Sequence, residues 1–199
     1  MSKYNFATSF HSITIIFFFI LNKSVYNNIM KTDSQYIYSF EPIVPYKAKI
    51  LILGSMPSVL SLEKQQFYGN AQNRFWNVLF FLLEQRPADT SYDDKLKFLH
   101  KNKIALWDVI KSCVRPGSLD SNISAEQPND INGLVEVNQT ITHVFFNGTK
   151  AKAVYEKHFD YKNNLTYTLL PSTSPIPRKN IRNIDDLITA WAILKDALQ

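Results

Sequence analysis

The chain has 199 residues and a formal net charge of +5. That length suits one domain with a sizeable core, because a globule of this size buries roughly 70% of its unfolded surface. The charge is compatible with a polyanionic partner without requiring one. A single cysteine, Cys113, excludes a disulfide framework, a cysteine-ligated zinc and a four-cysteine iron–sulfur cluster, and it fits a reducing cytoplasm.

The N-terminal stretch differs from the rest. "SITIIFFFI" at residues 12–20 is a short apolar run behind Lys3. It is too short to span a bilayer, and no small-x-small cleavage pattern follows it before Asn22-Lys23. Met30 then opens "MKTDSQYIYSFEPI", a normal domain start. Residues 1–29 are therefore expected to be an extension outside the fold, with Met30 an alternative initiator and residues 30–199 the functional domain.

Four apolar runs read as strands: "KILIL" at 49–53, "KIALW" at 103–107, "HVFF" at 143–146 and "LTYTLL" at 165–170. Three of them lack polar alternation, the pattern of strands covered on both faces. Helical patterns lie between them. "FWNVLFFLLE" at 75–84 is apolar nearly all round, as an interior helix is. "DDKLKFLH" at 93–100 opens with acids suited to a helix N-terminus. "KAKAVYEKHF" at 150–159 follows the third strand, and 184–198 places Ile184, Leu187, Ile188, Trp191 and Leu194 at helical spacing. Strands alternating with helices indicate an open parallel sheet with helices on both faces.

In such a sheet, ligands bind beyond the carboxyl ends of the strands. The segments expected there are "GSMPS" (54–58), "DVIKSCVRPGSLDSNI" (108–123), "NGTK" (147–150) and "PSTSPIPRK" (171–179). No G-x-x-x-x-G-K-S/T phosphate loop, G-x-G-x-x-G fingerprint or G-x-S-x-G elbow occurs in the sequence. His11, His100, His143 and His158 are scattered, with no metal-ligand spacing. What remains is a neutral Ser/Asn/Pro-rich crevice with Arg74, Arg115, Lys150, Arg178, Lys179 and Arg182 at its edge. Backbone amides with Ser172, Thr173 and Ser174 suit phosphodiester contacts, and the cations add an electrostatic rim. The prolines of the same loop have a simpler use, which is to stiffen it. The stretch 65–82 adds a further question, since Asn70, Gln72 and Asn73 stand at the lip of the most apolar helix. They serve either as turn and cap residues or as a site of chemistry.

"LILGSMPSVLSLEKQQFYGNAQNRFWNVL", "IALWDVIKSCVRPGSLDSNI", "VFFNGTKA" and "LLPSTSPIP" together resemble the DNA-deoxyinosine glycosylases, the hypoxanthine-excising branch of the uracil-DNA glycosylase superfamily. The resemblance covers roughly residues 38–198 with all four motifs in order. It implies a three-layer α/β/α sandwich around a short four-stranded parallel sheet. It also implies hydrolysis of the N-glycosidic bond of a deaminated base flipped out of DNA.

Mismatch-specific relatives carry Asn in the first motif where this chain has Met56, and other branches carry Asp. A thioether cannot orient a water. The branch resembled here relies instead on the Asn of a Y-x-x-P-x-N-x-F-W pattern, which falls on Asn73 and makes it the expected catalytic residue. Gly54, Ser55, Met56, Pro57, Phe67, Tyr68 and Asn147 are expected to line the base pocket. Phe67 and Tyr68 are expected to stack on the base, and Asn147 either reads the base edge or caps the next helix. Ser172, Thr173, Ser174, Ile176, Arg178 and Lys179 are expected to contact DNA, with Ile176 as the wedge that fills the vacated stack. Two positions depart from the family pattern: Ser58 replaces Gly, and Ala71 replaces the Pro before the catalytic Asn. The resemblance implies a monofunctional enzyme of base excision repair acting as a cytoplasmic monomer on DNA containing deaminated bases, with no metal, other cofactor or membrane. Two alternatives remain open from the residues alone. One is a uracil or mismatch glycosylase, and the other is a non-catalytic lesion- or nucleotide-binding domain.

Overall fold

The computed structural model describes residues 36–177 and 180–199. The expected extension at 1–29 lies outside the described residues, as do Arg178 and Lys179. Ile37–Gln199 forms one unit organised around a four-stranded parallel sheet in the order β3-β2-β6-β7. The strands are β2 (Ile50–Gly54), β3 (Ile104–Asp108), β6 (His143–Asn147) and β7 (Thr166–Leu170). Every residue of β2 and β3 is buried. Successive side chains point to opposite faces, so complete burial means that both faces are covered. This is the α/β sandwich expected.

Register decides what happens at the end of the sheet. Ile50 pairs with both Ile104 and His143, and His143 pairs with Thr166. The four strands thus start level and, being equally long, finish level. Gly54 lies opposite Asp108, Leu53 opposite Phe146, and Asn147 opposite Leu170. Along β2, β3 and β6 the strand ends therefore change in one step from Leu, Trp and Phe to Gly, Asp and Asn.

Helix α2 (Phe75–Glu84) has the expected bounds and buries Phe75, Trp76, Val78, Leu79, Phe80 and Leu82. It packs on α6 (Ile184–Trp191), with Phe75 edge-on to the fully buried Trp191. Helix α3 (Tyr92–Lys101) stacks Phe98 on Phe80 at 3.9 Å, and α5 (Thr149–His158) packs on β6.

The fold contains elements beyond those expected. A second sheet has the order β1-β4-β5, with β1 (Tyr36–Tyr38) beside an antiparallel pair of β4 (Ile110–Val114) and β5 (Ser124–Pro128). Short helices α1 (Val59–Lys64) and α4 (Ile131–Val137) start on capping side chains, Ser58 and Asp130. The helix expected over 184–198 is two: α6, then α7 (Leu194–Leu198). At the break Ala192 donates to the Thr189 carbonyl and Lys195 to the Ala192 carbonyl, three-residue spacings that tighten the turn.

Candidate active site

A cavity of about 140 Å³ opens at the carboxyl end of the sheet. Gly54 enters it from the end of β2, Ser55, Met56 and Pro57 from the loop that follows, Asp108 from the end of β3, and Asn147 from the end of β6. Phe67, Tyr68 and Asn73 come from the segment before α2, and Ser172, Thr173, Ser174 and Ile176 from the loop after β7. The four segments expected at the strand ends thus meet around one cleft. Every described residue of the expected pocket and DNA-contact sets lines it.

The approach to α2 is organised by amide side chains. Asn70 Oδ1 accepts from Gln72 N–H at 2.9 Å, and Asn73 N–H donates to the Asn70 carbonyl at 2.9 Å. Asn73 Oδ1 accepts from Phe75 N–H at 3.0 Å, which uses one orphan donor of the helix start. Asn73 is therefore both a cap-like residue and a cleft residue. The bond fixes its side-chain torsion and leaves the Nδ2 donors and one Oδ1 lone pair for the cavity. Ala71 replaces a stiffening proline, and these bonds do the same work locally. Arg74 locks the helix start to the far wall: its N–H donates to the Thr173 carbonyl at 3.1 Å, and its guanidinium donates to the Ser174 carbonyl.

The aromatic wall is braced from behind. Trp76 Nε1 donates to the Phe67 carbonyl at 3.0 Å, and Phe67 N–H donates to the Tyr92 hydroxyl at 3.1 Å. Tyr68 stacks on Phe75 at 3.8 Å. One face of Tyr68 is consequently covered, and Phe67, 4% exposed, packs edge-to-face with Phe40 at 5.1 Å. Burial raises the Tyr68 phenol far above its ordinary pKa, with the nearby Asp108 carboxyl adding to the effect. Its hydroxyl accepts from Asn147 Nδ2 at 2.9 Å.

Asn147 turns out to be neither a helix cap nor an idle amide. Its Oδ1 accepts from Thr173 N–H at 2.9 Å, and its Nδ2 also donates to Thr173 Oγ1 at 3.0 Å. The side chain clamps the loop after β7 to the sheet, while Gly148 takes the cap position of α5 at φ 103°. A Cβ on Gly148 would stand 2.7 Å from Ser172 Cβ, so this turn needs glycine for space as well as for φ. Thr173 requires a correction. It was expected to contact DNA, but its side chain is fully buried, so it locks the loop from inside. The exposed tip of that loop is Ile176, 49% accessible, behind two local turns in which Ser172 Oγ accepts from Ser174 N–H and Ser174 Oγ from Ile176 N–H.

One edge cation needs correction. Arg115 is buried and donates to the Pro57 and Gly117 carbonyls, so it ties the loop after β2 to the loop after β4 and offers no exposed charge. Arg182 is exposed at the surface, where it pairs with Asp186. Ser58, the departure from glycine, earns its place as the cap of α1, accepting from Ser61 N–H at 3.2 Å. Ser118 and Asp120 lie in a loop for which no role was expected. Ser118 Oγ accepts from Val59 N–H at 3.0 Å, and Asp120 Oδ1 accepts from Ser55 Oγ at 2.9 Å.

Asp108 is the site residue that the sequence reading passed over. It is 4% exposed, and its Oδ2 has no hydrogen-bond partner among the described residues. Burial, reinforced by the Asp120 charge and opposed by Arg115, pushes its carboxyl up to about 7. The only sequence signal was position: an acid directly after an all-apolar strand, where ligands of parallel sheets bind.

A polar cleft at this place defines an α/β protein that takes its ligand beyond the strand ends. The profile of the uracil DNA glycosylase superfamily matches residues 41–195, and the chain belongs to that superfamily. It is 40% identical over 147 residues to a hypoxanthine DNA glycosylase of Methanosarcina acetivorans, covering 72% of this chain and 90% of the relative. It is 33% identical over 153 residues to a hypoxanthine DNA glycosylase of Methanosarcina barkeri, covering 77% and 94%. The solution NMR structure of a candidate uracil DNA glycosylase from Methanosarcina acetivorans superposes with a TM-score of 0.65 at 34% identity, covering 80% of this chain and 99% of the other.

Proposed function

We propose that this protein is a monofunctional DNA glycosylase that excises hypoxanthine from deoxyinosine and so initiates base excision repair. The observation that carries the reading is the placement of Asn73. Its carboxamide is held by the first turn of α2 and faces the same cleft as Met56, the residue that stands where related branches carry a water-positioning side chain. Base loss passes through an oxocarbenium-like sugar while negative charge grows on the departing base. A neutral amide suffices for such a step, because it has only to aim a water at the sugar carbon.

The remaining roles follow from position. Phe67 stacks on the extruded base, and the loop after β2 brings backbone close to it through Gly54 and Ser55. Ser172 and Ser174, with Arg178 and Lys179 further along, grip the flanking phosphates. Ile176 is the apolar wedge. No lysine lines the cleft among the described residues, which supports a hydrolytic reaction without a Schiff-base lyase step. Among those residues no helix is long and apolar enough to cross a membrane, and the reading places the enzyme on DNA in the cytoplasm as a monomer.

The test is product release from duplex oligonucleotides carrying hypoxanthine, uracil or xanthine. Hypoxanthine is expected to be released fastest. Faster release of uracil would move the protein to the uracil branch, and binding of all three without release would make it a lesion-binding protein.

A further inference from the structure

The cleft contains one group whose burial the reading above leaves unused. Asp108 ends β3 directly opposite Gly54. A Cβ built on Gly54 would stand 2.3 Å from Asp108 Oδ1 and 3.0 Å from the Tyr68 hydroxyl. Glycine at 54 is thus what allows a carboxyl to occupy the floor of the pocket. Among the described residues no side chain forms an ion pair with that carboxyl. Oδ2 is shut off from solvent and has no hydrogen-bond partner among the described residues. The nearby cation, Arg115, is held by two backbone carbonyls.

An unpaired, desolvated carboxylate is costly, so the group keeps its proton. Asp120, the other acid at the cleft, raises the Asp108 carboxyl further, whereas Arg115 opposes the rise. The remaining titratable groups facing it are the phenols of Tyr68 and Tyr92, both raised above their ordinary range and partly by Asp108 itself. Neither phenol is a useful acid at neutral pH. No histidine lines the cleft among the described residues. Asp108 is therefore the acid strong enough to give up a proton there.

Resting on the glycosylase reading, we propose that Asp108 is the general acid of the reaction, protonating a ring nitrogen of the base as it departs. The carboxyl O–H bond breaks and an N–H bond forms on the base. The electron pair of the bond between the sugar C1′ and the base nitrogen leaves with the base, which exits neutral. The water positioned by Asn73 adds to C1′ and releases a proton, which restores the acid either directly or through solvent. Hydrolysis is thereby balanced with no other reactant. A general acid of this kind contributes about 10²–10⁴-fold to rate, and it is most effective when its pKa is close to the working pH, as that of Asp108 is.

The experiment is single-turnover release of hypoxanthine by the full chain from pH 5.5 to 9, for wild type and Asp108→Asn. The amide is nearly isosteric and can still donate a hydrogen bond, but it cannot transfer a proton. For wild type the active form is the acid, so the rate is expected to be flat below about pH 7 and to fall about tenfold per pH unit above it. Asp108→Asn is expected to be at least about 100-fold slower at pH 6 and to lack that descending limb. A variant with wild-type rate, or a slow variant that keeps the same limb, overturns the assignment. If the variant does not fold, a wild-type profile with no limb near pH 7 overturns it alone. Absence of any hypoxanthine release by wild type would instead refute the glycosylase reading.

Discussion

The interior of the parallel sheet and the cleft at its end are one residue apart along the chain, yet they follow opposite rules. Ile50, Leu51, Ile52 and Leu53 fill space with apolar atoms, and any side chain of similar volume serves nearly as well. Gly54, Asp108, Asn147 and Thr173 are as deeply placed, but the first two are set by one atomic clearance and the last two by hydrogen bonds to each other, with Tyr68 a further partner of Asn147. The first region is maintained by area removed from water. The second is maintained by close clearances and by hydrogen bonds that are expensive to leave unmade. Stability should therefore be lost without loss of chemistry in the first region, and chemistry lost without proportionate loss of stability in the second.

Four changes sharpen or break that contrast. Leu51→Ala, in the centre of the sheet, is expected to cost about 4 kcal/mol by urea denaturation while leaving the excision rate of the folded fraction within about twofold. A rate loss of tenfold would show that core and cleft are not separable. Asp108→Asn is expected to act in the other direction. The folded carboxyl titrates near 7 and the unfolded one near 3.8, so the buried acid is harmless below pH 4 and increasingly costly as pH rises to 7. Replacing it should raise stability by about 4 kcal/mol at pH 8 and by less than about 1 kcal/mol at pH 4. Equal stabilities at both pH values would mean that the carboxyl is not desolvated.

Gly54→Ala pushes a methyl into the Asp108 carboxyl and is expected to cost about 2 kcal/mol together with most of the activity. Pairing it with Asp108→Ala, which empties the space, should recover the stability but not the rate. Ile176→Ala, at the exposed tip of the loop after β7, is expected to change stability by less than about 0.5 kcal/mol while weakening binding to lesion-containing duplex several-fold. Unchanged DNA affinity would remove the wedge role.

How much of this was legible in the sequence follows from the same contrast. Strands buried on both faces are written as apolar runs, so β2, β3 and β6 were found to within one residue, as was the half-exposed β7 from its aromatic and β-branched residues, and the uniformly apolar α2 was found at its bounds. The β4–β5 pair was not, because "IKSCV" and "SAEQP" carry neither an apolar run nor clean alternation and owe their pairing to tertiary context. Helix α1 has six residues, too few to show a period. In the cleft, Asn73 and the loop residues were identified through a resemblance that spans four motifs. Thr173 and Arg115 were misassigned to the surface because burial of a single polar side chain leaves no local trace. Asp108 was missed for the same reason. Its significance lies in the strand register that sets it against Gly54, and register appears only when the sheet is assembled.

The carboxamide at the start of α2 carries the central step of the proposed reaction. Single-turnover release of hypoxanthine by wild type and Asn73→Ala, with thermal unfolding of both followed in parallel, tests it directly. The predicted result is a rate lowered about 10³-fold, as for loss of one preorganised polar group at a reacting centre, with unfolding weakened by no more than about 1 kcal/mol for the lost cap-like bond. An Asn73→Ala protein that releases hypoxanthine at the wild-type rate would contradict it.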